Sequence, residues 1–208
     1  MAVRDRQGRE FIAPRTLKAQ LEAKAATLSP GTFIRNPKYQ HFKDIWCAAH
    51  FGIGYERNVR PCTVWVNNEQ NSDTDFVLKT NVGEFAFQTT IADVPGRRMS
   101  DEYQGEVSRT RFYRPGRGSE EGPTWIAEAV HRKVHANYSA AASLNILAYA
   151  NFDTNGLDYG VVRAKVAPLA HSFASIWVVT NDQICSVGAK TLCGELPGMY
   201  AICDPLEL

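Results

Sequence analysis

The residues best placed for chemistry are an acid and a row of polar side chains on what reads as a β-hairpin. Asp75 closes a polar turn at 67–74 and opens a strand candidate at 76–78. The next strand candidate, 84–91 (EFAFQTTI), alternates: Glu84, Ala86, Gln88 and Thr90 share one face, and Phe85, Phe87 and Thr89 the other. An acid at the start of one strand then faces alternate residues of the next. Carboxylates gathered in this way hold a hard divalent cation such as Mg²⁺. Such a cation polarises a phosphate and lowers the pKa of a bound water, which is what metal-dependent phosphodiester cleavage needs. Asp75 and Glu84 are the candidate ligands, and Gln88 is the polar group beside the water. Plainer roles stay open: Asp75 as a turn aspartate, Glu84 as a solvated strand start. Glu84 is also two residues from Ala86, about 6.6 Å along a strand, and Ala86 is where a second acid is wanted.

Other chemistry has less to stand on. His131 and His135 are spaced i, i+4 on one helical face with Glu128 nearby, but the run is HRKVH, without the glutamate of a metalloprotease helix. The five cysteines (Cys47, Cys62, Cys185, Cys193, Cys203) are widely spaced among apolar neighbours and form no CxxC pair, which reads as buried free thiols. There is no GxGxxG, no GxxxxGK[ST] and no GxSxG, so neither nucleotide cofactors nor acyl transfer is suggested.

The elements that must position the hairpin follow from periodicity. Residues 1–14 read as a mobile arm, and residues 14–27 as a helix with Leu17, Leu21 and Leu28 on one stripe. A second helix is expected from Asn36-Pro37, with Phe42, Ile45, Trp46 and Ala49 on its apolar face and Gly52 and Gly54 at its end. Residues 62–66 (CTVWV) are a strand candidate ahead of the hairpin. A long helix is expected from a Thr124 cap over 125–139, with Ile126, Ala129, Val130 and Val134 buried. Residues 144–150 (LNILAYA) and 175–180 (SIWVVT) are nearly continuous apolar runs, the pattern of central strands in a covered sheet. Between them a helix over 161–173 must accommodate Pro168. Residues 184–187 read as an edge strand, and 188–208 as irregular. The order implies one α/β domain, a mixed sheet with helices on both faces, comprising an arm and helix at 1–35 and a core at 36–208.

Residues 95–123 contain three prolines, five glycines and six arginines, with few aliphatic residues, and read as a long flexible loop. Its arginines, with Arg97, Arg98, Arg109 and Arg111 as the candidate contacts, would meet DNA or RNA phosphates if they clustered beside the hairpin. The loop can equally fold onto a protein partner. The net charge of +1 gives no global pull toward nucleic acid or an anionic surface. No run reaches the roughly 18 apolar residues of a membrane span, and residues 1–10 lack the apolar core of a signal peptide, so a cytoplasmic location is expected.

At the hairpin the chain resembles the PD-(D/E)XK nuclease superfamily, in which an acid opens one strand and an acid-x-Lys triplet lies on the next, some members having Gln for the Lys. The matching residues are Asp75 and then Ala86-Phe87-Gln88. The run 126–151, with Lys133 and Tyr138, is similar to that superfamily's helix-Lys-Tyr-strand segment, and 173–179 to its next central strand. The resemblance spans roughly residues 38–187 and implies a restriction-endonuclease-like fold. It also implies a Mg²⁺-dependent nuclease whose Lys role passes to Lys133, with Asp44 or Glu56 as an accessory acid. Ala86 departs from the pattern at the second acid. The alternative is therefore a catalytically inactive structural or binding module on the same fold.

Overall fold

The computed structural model describes residues 3–28, 41–69, 72–97, 117–136, 138, 140–188 and 199–201. The strands are β1 (Val3–Arg4), β2 (Glu10–Phe11), β3 (Thr63–Val66), β4 (Phe76–Thr80), β5 (Gly83–Ala92), β6 (Asn145–Ala150), β7 (Ser175–Val179), β8 (Gln183–Gly188) and β9 (Met199–Ala201). The helices are α1 (Pro14–Ala25), α2 (His41–Asn58), α3 (Arg117–Val134) and α4 (Tyr159–Val166), and 3₁₀ turns cover Ala141–Ser143 and Ala167–Ser172. Strands β3 to β9 form one sheet in chain order. The β3–β4–β5 and β7–β8–β9 contacts are antiparallel, and β5–β6–β7 run parallel. Both parallel connections carry a helix, as a strand returning in the same direction requires.

Alternation along the central strands sorts their side chains between two apolar layers. Leu147, Trp177 and Val179 pack with Leu17 of α1 and with Cys47, Ala48 and Phe51 of α2. Ile146, Ala148, Ile176 and Val178 pack with Ile126, Ala129 and Val130 of α3 and with Val162 and Val166 of α4. Helices thus cover both faces, and every residue of β7 is buried. That is why its sequence is apolar throughout instead of alternating.

The arm is not free. Strands β1 and β2 pair as a small ribbon, and Ile12 exchanges backbone hydrogen bonds with Val64 at the edge of the sheet. Gly52 and Gly54 lie inside α2 and do not end it. A Cβ on Gly52 would meet Pro14 Cγ at 2.8 Å, and one on Gly54 would meet Ile184 Cδ1 at 3.0 Å, so the glycines let α2 approach α1 and the sheet. Helix α3 begins seven residues before its expected cap, within the stretch that composition marks as loop. Gly118 and Gly122 face residues 152–157, where an added Cβ would meet the Asp153 carbonyl and the Phe152 ring. Pro123 falls in the second turn, and its cost is offset by burial of Trp125 and Ile126 beyond it. Helix α4 yields at Ala167 to a 3₁₀ turn containing Pro168. β8 is not the edge, because β9 pairs beyond it. The expected helix start at Asn36-Pro37, and Cys193 and Cys203, lie outside the described residues.

Candidate functional site

Asp75 lies in the bend that enters β4. Its backbone N–H donates to the Phe87 carbonyl at 2.8 Å, extending the β4–β5 ladder one step beyond the Phe76–Phe87 pair. This register brings its side chain against Gln88 and Thr89 of β5. Asp75 Oδ2 accepts three hydrogen bonds: from Gln88 Nε2 at 2.8 Å, the Thr89 backbone N–H at 2.7 Å and Thr89 Oγ1 at 2.6 Å. Gln88 and Thr89 point to opposite faces of the sheet, yet a side chain at a strand entrance reaches both.

The second carboxylate comes from the first turn of α2. Asp44 Oδ1 lies 2.6 Å from the same Thr89 hydroxyl. A hydroxyl has one proton and donates to one of the two carboxyls at a time. Asp44 is the acid whose surroundings favour the neutral form. Burial raises its pKa and the Asp75 charge raises it further, against Lys43 at 3.7 Å, the Thr89 hydrogen bond and Lys133. Since one hydroxyl touches both oxygens at 2.6 Å, these oxygens are at most twice that length apart. Around an octahedral Mg²⁺, ligand oxygens stand about 2.9 to 4.2 Å from one another.

Lys133, on the last turn of α3, acts on the two acids through its charge. Its ammonium is half-buried, and burial lowers its pKa while Asp75 and Asp44 pull it back up and Lys43 and Arg132 push it down. It lies 5.9 Å from the centre of the Tyr138 ring. Burial, followed by the charges of Asp75 and Asp73, raises the Tyr138 phenol to about 12. Gln88 is left with an unpaired atom. Because its amide N–H₂ must face the Asp75 carboxylate, its Oε1 points away, fully buried and without a hydrogen-bond partner. A buried acceptor in that state costs about 1–3 kcal/mol and is rare in a folded chain.

The structure therefore joins Asp75 and Gln88 by a hydrogen bond, sets Lys133 within electrostatic reach of Asp75 and leaves Glu84 elsewhere. Glu84 pairs in register with Lys79, four residues before Gln88 or about 13 Å along the strand. Its carboxylate accepts from Lys79 Nζ at 2.8 Å and Arg9 Nη2 at 2.7 Å, and the Lys79 bond above all lowers its pKa. Ala86 packs against the apolar layer under α3, and its carbonyl accepts from Asn145 Nδ2. Arg97 bonds inward to Asp93 and to the Asn151 carbonyl. Arg98, Arg109 and Arg111 lie outside the described residues. Among the described residues, no group of three or more His, Cys, Asp or Glu side chains is arranged to hold a metal.

Thr89 is the member of the cluster that was not expected from the sequence. The signal was available, since Thr89 is a polar residue on the same strand face as Phe85 and Phe87, where only a buried partner would satisfy it. Asp44 carries a similar mark, because it begins the stripe continued by Cys47, Ala48 and Phe51 of α2.

No family model and no curated protein matches this chain. Among solved structures it is similar to a protein of unknown function, PA4535 from Pseudomonas aeruginosa strain PAO1, described as of the monooxygenase superfamily. The two are 15% identical, the match covers 94% of this chain and 97% of the other, and the TM-score is 0.49. At that identity and score no activity passes from one to the other. The expected membership in the PD-(D/E)XK superfamily is therefore corrected, and with it the nuclease and DNA-binding readings, since no family model of that or any other superfamily matches the chain. The geometry has its own reason for the correction. The acid-x-Lys triplet is not built here: Ala86 fills the acid position and Glu84 is committed to Arg9 and Lys79. No described helix is long and apolar enough to cross a membrane.

Proposed function

We propose that the Asp44–Asp75–Thr89–Gln88–Lys133 cluster is the functional centre of this chain. In this proposal it binds a hard divalent cation, Mg²⁺, through its two carboxylates and an anionic oxygen ligand beside Lys133. One observation carries the proposal: a single Thr89 hydroxyl 2.6 Å from both Asp44 and Asp75. That spacing sets two carboxylates side by side, an arrangement that a cation between them stabilises. The donor set fits, since Mg²⁺ takes oxygen ligands and is commonly held by one or two carboxylates with retained water. When bound, the cation supplies polarisation of the anionic ligand and acidification of a bound water. The chain's own residues do the rest. Thr89 and Gln88 would fix Asp75, Asp44 would be the second carboxylate to hold the cation, and Lys133 would offer a positive charge to the anion. In the layout of its sheet, and not in activity, the architecture fits a restriction-endonuclease-like arrangement.

The test is titration with Mn²⁺ as a paramagnetic stand-in, read as loss of the free-ion EPR signal. One Mn²⁺ should bind, Mg²⁺ should displace it, and Asp75→Asn and Asp44→Asn should each abolish binding. Wild-type affinity in the Asp75→Asn protein would remove the site.

A further inference from the structure

A second pair of ligating groups lies at the end of α3, apart from the carboxylates. His131 is in the last helical turn, and His135 follows in the turn that closes it. Their Nε2 atoms are 3.1 Å apart, their ring centroids 4.5 Å apart, and the rings meet edge to face at 68°. Both residues are exposed, so nothing in the core dictates this approach. A contact between two ring nitrogens requires one to donate and the other to offer its lone pair.

A metal ion can replace that shared proton without moving the rings far. Zinc–imidazole bonds are about 2.0–2.1 Å long, which places two nitrogens about 2.9 Å apart at a right angle and about 3.4 Å apart at the tetrahedral angle. The observed 3.1 Å falls between these limits. The site is at the negative end of the α3 dipole, where a cation is stabilised. The two cationic residues between the histidines are engaged elsewhere. Arg132 Nη2 donates to the Ile91 carbonyl at 3.0 Å, and Lys133 is within electrostatic reach of the acids of the first site, 5.9 Å from the centre of the Tyr138 ring.

We infer that His131 and His135 form a two-imidazole site for a borderline transition ion, Zn²⁺ or Ni²⁺. The protein then contributes half of a tetrahedral ligand set and leaves the remaining positions to water or an incoming donor. Ligand softness separates this site from the first: imidazole prefers Zn²⁺, Ni²⁺ and Cu²⁺, and carboxylate with water prefers Mg²⁺. An ion bridging residues 131 and 135 also staples the turn that holds Lys133. Its binding should therefore raise the melting temperature by mass action on the folded state.

The experiment uses the full chain with Zn²⁺ alone as probe, by calorimetry and thermal melting, and Cu²⁺ for EPR. The expected result is one bound Zn²⁺, unaffected by excess Mg²⁺, and a Cu²⁺ spectrum with nitrogen splitting from two imidazoles. His131→Ala and His135→Ala should each weaken Zn²⁺ by at least about tenfold and remove its effect on melting, whereas His171→Ala should change neither. Asp75→Asn should keep Zn²⁺ binding, so this inference and the carboxylate proposal fail separately. Wild-type Zn²⁺ affinity in either His→Ala protein, or splitting from one imidazole, overturns it. Both positions are exposed, and unchanged circular dichroism of the variants confirms that loss of binding is not loss of fold.

Discussion

If Asp44 holds a proton in the folded protein, then neutralising one carboxylate by substitution costs stability and neutralising the other does not. Asp75→Asn keeps an acceptor oxygen for Gln88 Nε2, the Thr89 N–H and Thr89 Oγ1, but turns three charge-assisted bonds into neutral ones. Bonds to a charged group contribute roughly 1.5–3 kcal/mol and neutral ones roughly 0.5–1.5, a difference of about 1 kcal/mol per bond. Three bonds give about 3 kcal/mol, and partial solvent access at a half-buried aspartate brings the expectation to about 2 kcal/mol. Asp44→Asn instead mimics the protonated acid, with its amide donating to Thr89, and should shift stability by less than about 0.5 kcal/mol. The pH dependence follows from the same assignment. The folded pKa of Asp44 is raised above its ordinary value of 3.8. Its contribution is therefore fully present below that value and is lost as pH rises through the folded pKa. Wild type should lose stability over that window relative to Asp44→Asn. Urea unfolding, followed by the fluorescence of the buried Trp177, measures both effects. An Asp44→Asn protein destabilised as much as Asp75→Asn, or one that keeps the wild-type pH slope, refutes the assignment.

Three further outcomes are expected. Gly118→Ala drives a Cβ into the Asp153 carbonyl oxygen and should cost about 3 kcal/mol in a thermal melt, against about 1 kcal/mol for Gly96→Ala, which has open space around it but a φ of +77°. Burial above all holds His50 down to about 4, so the stability of its neutral form is complete above about 6.5 and drains away as pH falls toward 4. NMR should show its ring still neutral at about pH 5, and protonation there would contradict the burial. Cys47, Cys62 and Cys185 are buried, and burial raises all three thiols, that of Cys62 to about 12. Peptide mapping after iodoacetamide should find them unmodified in the native protein and alkylated in urea.

The sheet was largely legible because its signals are local. Alternation in 84–91 and the unbroken apolar runs at 144–150 and 175–180 each specify a strand and the number of faces it buries. The glycines were misread for the opposite reason. Gly52, Gly54, Gly118 and Gly122 look like breakers in a one-dimensional pattern, yet each is a place where another element comes within about 3 Å of where a Cβ would stand, a fact of tertiary packing. Asp75 and Gln88 were legible from hairpin register alone. Thr89 and Asp44 were not paired, because their contact joins residues 45 positions apart through a helix whose approach depends on those same glycines.

The strand that carries the site also explains why the expected second acid is absent. On β5 the face bearing Ala86 turns toward the apolar layer of α3 and β6, where a carboxylate would find Ile126, Ala129 and Ile146 for company. A charge there would need a partner or would cost several kcal/mol. The other face bears Thr89 and meets the first turn of α2, where Asp44 still has solvent on one side and Lys43 nearby. The second acid therefore comes from a helix, at a border of the sheet where a half-hydrated carboxylate is tolerated. With Glu84 drawn off to fasten the N-terminal ribbon through Arg9, the hairpin retains a single acid at this border. Any cation held there depends on how α2 is seated against the sheet. By this argument a cavity-forming change beneath α2, Phe51→Ala, weakens cation binding at Asp75 without touching a ligand.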